Sequence, residues 1–134
     1  MVKKRLIFLE RILGTLLLAA FALAPAAAQT RQQQKQQFLK SVDESISVSM
    51  IVGNPYRYVG KHVDLHCTAS PIHASDWFGC NDEDGNEVVI EASTHDISPG
   101  QSLRILGIVD QPMEMENENG GSSNAGTVKA LFMQ

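Results

Sequence analysis

Between His62 and Ala69 the sequence alternates strictly, with Val63, Leu65, Cys67 and Ala69 at one parity and His62, Asp64, His66 and Thr68 at the other. A period of two is the signature of a strand with one buried and one solvent-facing side. The apolar parity carries one of two cysteines; the other, Cys80, follows 13 positions later. If the two are paired, this strand and the next are stapled together, and the fold must bring them side by side. Closing a loop of that length stabilises a domain by about 3 kcal/mol in the chain-entropy model.

Whether the thiols pair depends on the compartment, and the N-terminus speaks to that. Lys3, Lys4, Arg5 and Arg11 precede an apolar run from Ile12 to Leu23, and Ala26-Ala27-Ala28 follows. A basic segment, a short apolar segment and small residues are the three parts of a secretory signal peptide. The apolar run is too short to span a bilayer comfortably. We expect cleavage after Ala28 and a periplasmic or secreted product, with membrane contact only before cleavage. An even number of cysteines in an oxidising compartment then predicts a Cys67–Cys80 disulfide.

Removing the leader changes the charge balance. The chain has 11 basic and 15 acidic residues; the leader takes four basic and one acidic, leaving seven against fourteen, a net charge of −7. Non-specific nucleic-acid binders need Lys and Arg on phosphates, so this count disfavours nucleic acid and steers toward cationic partners. The remaining 106 of 134 residues make one domain.

Along residues 29–53 the sequence is polar and then weakly periodic. Thr30–Gln37 reads as a tether or a frayed helix start, and Phe38, Val42 and Ile46 recur at spacing four, as in a short amphipathic helix. Alternation at Ile46, Val48 and Met50 permits a strand over Ser45–Ile51 instead. From residue 54 to 134 the signals are those of strands. Asn54, Pro55 and Gly60 punctuate one predicted helical turn, with Asn54 as its N-cap and Tyr58 directed at the core. Strands follow at His62–Ala69, Trp77–Asn81, Glu87–Ala92, Ser102–Asp110 and Thr127–Met133. Asp84-Gly85 predicts a hairpin between the second and third, and Gln111–Gly126 reads as a long acidic loop.

Five short strands with these spacings fit an all-β, five-stranded Greek-key barrel with a short N-terminal helix. NPYRYVGKHVDLHC (Asn54–Cys67), DEDGNEVVIEA (Asp82–Ala92) and SPGQSLRILGIVD (Ser98–Asp110) resemble exported bacterial OB-fold families, the tRNA-anti-like and bacterial OB-fold (BOF) stress-protein families. The resemblance implies an OB fold over Asn54–Met133 and carries no catalytic motif. Its two cysteines, its His-bearing first strand and its acidic final loop depart from those patterns.

OB barrels bind on the outer surface of strands two and three. That places a candidate ligand face at Trp77, Glu87, Val89 and Glu91, with His73 and Asp76 from the preceding loop. Phe78 shares parity with Cys80 and is expected inside, leaving Trp77 outside. His62, Asp64 and His66 span about 13 Å on one strand face and could hold zinc or copper with His73 or His95. Asp82, Asp84, Gly85 and Glu91 partly match a calcium-loop pattern, and Met113, Met115 and Met133 weakly suggest soft-metal ligation. A solvated turn and surface histidines are the simpler expectation for these. No GxSxG, HExxH or phosphate-binding glycine loop occurs. The sequence therefore predicts a non-enzymatic module without a cofactor, binding a protein, glycan or small ligand; single-stranded nucleic acid is the alternative.

Overall fold

The computed structural model describes residues 29–134. The predicted leader and its cleavage site after Ala28 lie outside the described residues. Residues Gln37–Gln134 form one compact unit, distinct from the chain before them. Among the described residues, no helix is long and apolar enough to cross a membrane.

Two short helices precede the strands. Helix α1 covers Arg31–Leu39 and has no buried residue. Thr30 and Gln33 start it with a reciprocal cap: the Gln33 N–H donates to Thr30 Oγ1 at 3.2 Å, and the Thr30 N–H donates to Gln33 Oε1 at 2.9 Å. The Gln-rich stretch is thus helical rather than a free tether. Helix α2 covers Val48–Gly53, capped by Ser47, whose hydroxyl accepts from the Met50 N–H. The single helix expected through Phe38, Val42 and Ile46 is not formed, since α1 stops at Leu39, and Ile46 enters the core just before α2 begins. The alternative strand over Ser45–Ile51 is not formed either, because Ser47 starts a helix there. Asn54 ends α2, its N–H donating to the Met50 carbonyl at 3.1 Å, and also opens the next turn, its carbonyl accepting from the Arg57 N–H at 3.2 Å. Residues 55–60 form turns closed by Gly60 at φ +88°, and Tyr58 packs against the core as expected.

The strands are β1 (His62–Ala69), β2 (Trp77–Asn81), β3 (Glu87–Glu91), β4 (Ser102–Glu116) and β5 (Ser122–Met133). They close into one sheet in the order β1-β2-β3-β5-β4, with β4 returning to β1. Every pairing is antiparallel except β3 with β5, which is parallel. The five expected strands and their closure are present, in an OB-like connectivity. The inward parities supply the core: Val63, Leu65, Phe78, Val88, Ile90, Ile105, Val109 and Val128 are all at most 2% exposed. Ile51 of α2 packs into the same cluster, and a side chain at Gly126 would strike Ile51 Cγ2 at 2.8 Å.

Cys67 and Cys80 form the expected disulfide between β1 and β2, with Cα atoms 5.4 Å apart. Both cysteines sit in the core, at 7% and 0% exposure.

The largest departure from expectation is at the other end of the chain. Gln111–Gly126 is not a loop: β4 runs to Glu116, β5 starts at Ser122, and only residues 117–121 between them lie outside the strands. Met113 pairs with Ala125, Glu114 with Asn124, Met115 with Ser123 and Glu116 with Ser122. The register shifts between Asp110 and Met113, around Pro112. The buried Thr127 hydroxyl repairs that shift, accepting from the Met113 N–H at 3.1 Å and donating to the Ala125 carbonyl at 2.9 Å.

Candidate functional site

The outer surface of β2 and β3 is set by register. Trp77 lies opposite Glu91, Gly79 opposite Val89, and Asn81 opposite Glu87. Across the parallel pairing, Val89 faces Thr127 and Glu91 faces Lys129, and β4 continues the surface with Asp110 opposite Thr127. Phe78 is buried at 1% exposure while Trp77 is half-buried on this outer side.

The face divides into three parts. At one end Glu87 is committed to structure. Its carboxylate lies over Gly79, where a Cβ would meet Glu87 Cδ at 2.7 Å, and accepts from the Ser70 hydroxyl at 2.8 Å. Asn81 donates to the same hydroxyl at 2.5 Å. In the middle, Val89 is 3% exposed and Thr127 fully buried, so the centre of the face is closed. At the far end, Trp77 lies opposite Glu91, and Glu91 meets Asp110 and Lys129. Partial burial pushes the Glu91 carboxyl above its ordinary value; the Asp110 charge and a hydrogen bond shared with Asp110 push it the same way, and Asp76 adds to this while Lys129 opposes it.

The loop from Ser70 to Asp76 borders that end and is held down by the chain after β3. The Ala92 N–H donates to the Asp76 carbonyl at 3.1 Å and the Thr94 N–H to the Ser75 carbonyl at 3.0 Å. The Thr94 hydroxyl, nearly buried, donates to the Ala74 carbonyl at 2.7 Å. His73 is exposed on this loop.

Of the residues expected on the face, the structure brings Trp77, Glu91 and Asp76 together, leaves Glu87 at the opposite end, closes over Val89 and leaves His73 on the rim. Asp110 and Lys129 join the site unforeseen. Their strands were legible, and so was their parity, but which strands neighbour β3 depends on the parallel β3–β5 pairing, which no local pattern encodes.

The His62, Asp64 and His66 side chains have other partners. His62 stacks on Phe38 of α1 with ring centres 4.6 Å apart, and its Nδ1 is 2.6 Å from the Ser41 hydroxyl. Asp64 accepts two hydrogen bonds from Arg104, at 3.0 and 2.8 Å. His66 is 75% exposed, with Nε2 3.8 Å from Asp64. Among the described residues no three His, Cys, Asp or Glu side chains are grouped to hold a metal. The calcium-loop pattern fails for a different reason. Asp82 spends its carboxylate on its own turn, accepting from the N–H groups of Asp84 and Asn86 and the Asn86 amide, which holds its pKa below the usual value. Glu91 lies at the far end of β3 from that turn. Met113 and Met115 lie on β4, paired with Ala125 and Ser123.

Two shallow cavities, of about 360 and 380 Å³, lie away from Trp77. Both are bordered by His66, Asp82 and Glu83; Arg104 and Cys67 line the first, Glu44 and Asp64 the second.

The closed order of the sheet defines the chain as a small OB-like domain. No protein-family model matches it, and no curated protein matches it in sequence. Solved structures to which it is similar include three that share its fold at low identity. The YgiW protein from E. coli is 13% identical, with 66% of this chain and 86% of that one covered and a TM-score of 0.46. The telomere capping protein Ten1 from Saccharomyces pombe is 14% identical, covering 66% and 76%, with a TM-score of 0.42. A chain described as an aspartyl-tRNA synthetase from Leishmania major Friedlin is 15% identical, covering 71% of this chain and 21% of that one, with a TM-score of 0.49.

Proposed function

We propose that this chain is an exported, non-catalytic binding module of the OB type that takes a cationic ligand, presented by a protein, a glycan or a small molecule, at the Trp77 end of the β2–β3 face. One observation carries the reading: Trp77 stands opposite Glu91, and Glu91 is crowded by Asp110 and Asp76 with Lys129 as the nearby cation. An aromatic surface beside carboxylates suits a desolvated cation, attracted by the ring face and by charge. A bound ammonium or guanidinium group would also offset the Asp110 repulsion that adds to burial in raising the Glu91 pKa. Export is supported by the tripartite N-terminus and agrees with a disulfide; the resemblance of Asn54–Asp110 to exported bacterial OB-fold families points the same way.

Trp77 is the sole tryptophan of the chain, so its emission reports on this site alone. Titration with spermine should shift that emission, less so at high salt, and Glu91→Gln should weaken the response. A single-stranded oligonucleotide should produce none. If the oligonucleotide binds with a steep salt dependence and spermine does not, the module reads nucleic acid and the cationic reading is wrong.

A further inference from the structure

The β4–β5 hairpin extends past the strands that flank it. β1 pairs with β4 only as far as Ile108, and the bonds exchanged by Val109 with Gly60 and Lys61 end that side. β3 pairs with β5 only over Thr127–Lys129. The arm formed by Met113–Glu116 and Ser122–Ala125 is therefore two strands wide, with two outer edges that have no backbone partner among the described residues. An open edge is a template for another strand unless it is blunted by proline or charge. The β4 edge is blunted, because Pro112 cannot donate and Glu114 and Glu116 flank it. The β5 edge, Ser122-Ser123-Asn124-Ala125, has neither proline nor charge.

We infer that this β5 edge is a docking site for an extended segment of another protein in which apolar and basic residues alternate. Strand addition supplies main-chain hydrogen bonds, while alternate side chains select the partner. One parity of the added strand would lie along the side of Ala125, Ser123, Met113 and Met115. The other would lie along Asn124 and Ser122, with Glu114 and Glu116 one strand behind. No Lys or Arg occurs between Arg104 and Lys129, and Glu118 adds a third charge at the tip. The same charges oppose a second copy at this edge, since pairing two arms would gather six carboxylates. This surface is separate from the Trp77 end of the face and does not depend on the reading given to it.

The test uses two capped peptides of equal charge, one with the repeat Lys-Val three times and one with Lys-Pro three times, followed by hydrogen exchange resolved to single amides. The Lys-Val peptide should slow exchange over Ser122–Ala125 by about tenfold at saturation, and the Lys-Pro peptide should leave it unchanged. Replacing Glu114 and Glu116 together by Gln should weaken Lys-Val binding by about fivefold, whereas Trp77→Ala should not affect it. The inference is overturned by equal binding of both peptides, by protection confined to Met113–Glu116, or by loss of binding in Trp77→Ala. Concentration-dependent protection of the β5 edge without peptide would also overturn it, by assigning the edge to a second copy.

Discussion

Arg104 on β4 clamps Asp64 on β1 through both ends of its guanidinium group, Nε to Oδ1 at 3.0 Å and Nη2 to Oδ2 at 2.8 Å. The two strands are hydrogen-bonded neighbours, so the pair ties the seam at which the sheet closes. The Asp64 carboxylate holds the Arg104 pKa above its ordinary value. Arg104 is a third exposed, and solvent discounts the interaction, but the bidentate geometry keeps it above a simple surface pair. Arg104→Ala should cost about 1 kcal/mol, and Arg104→Lys should recover less than half of it because an ammonium cannot form the fork. Urea unfolding midpoints of the three proteins would decide this.

The Cys67–Cys80 bridge should contribute about 3 kcal/mol. The double variant Cys67→Ala/Cys80→Ala, or the native protein in reductant, should unfold at a correspondingly lower temperature. Since the loop model acts on the unfolded chain, the Trp77 environment of the folded protein should be unchanged. A large change in Trp77 emission before unfolding would mean that the bridge shapes the folded face as well.

Glu91 gives the protein a pH dependence of a definite sign. Its folded pKa is raised above the ordinary 4.5, so the folded state binds the proton more tightly than the unfolded chain does. The stability it contributes is fully present below the unfolded value and is lost as pH rises through the folded one. Asp43 and Asp82, whose pKa values are lowered by hydrogen bonds from Ser45 and Asn86, act in the opposite direction as pH falls. Subtracting the Glu91→Gln profile from the wild-type profile isolates the first effect. The variant should gain on the wild type as pH is raised above 4.5, and an unchanging difference would show that Glu91 is not perturbed.

Thr127→Val keeps shape and removes the hydroxyl that accepts the Met113 N–H. Leaving that donor unsatisfied should cost about 2 kcal/mol, with the earliest loss of amide protection in the arm beyond Asp110. Gly107→Ala acts through volume instead. The added methyl would collide with the Lys129 carbonyl and lie 2.7 Å from Val128 Cγ1, costing about 2 kcal/mol by overpacking. The first variant should fray the arm while the closed sheet persists; the second should destabilise the whole unit.

Much of the fold was legible because strands with one wet and one dry side carry a period of two. His62–Ala69 and Trp77–Asn81 have the expected bounds, and β3 ends one residue early. The alternation of Met113, Glu114, Met115 and Glu116 was equally regular, but Pro112 before it and the Asn, Gly and Ser of residues 117–126 after it read as loop composition. Thr127, which satisfies the backbone at that irregularity, acts through a contact that no local pattern announces. The helices were misplaced for another reason. Spacing four linked Phe38 to Ile46, while the capping residues Thr30, Gln33 and Ser47 marked the true starts. For the site, parity placed Trp77, Glu87, Val89 and Glu91 on one side, yet only tertiary pairing shows Glu87 drawn to Ser70 and Asp110 brought to Glu91.

The bridge between β1 and β2 has one more consequence. Cys67 and Cys80 bracket the whole of Ser70–Asp76, so a protease that cuts this exposed loop severs the peptide chain without separating its halves. The nicked protein would stay one molecule, heavier only by the water of hydrolysis, until reduced, and its β1 and β2 would remain covalently joined across the cut.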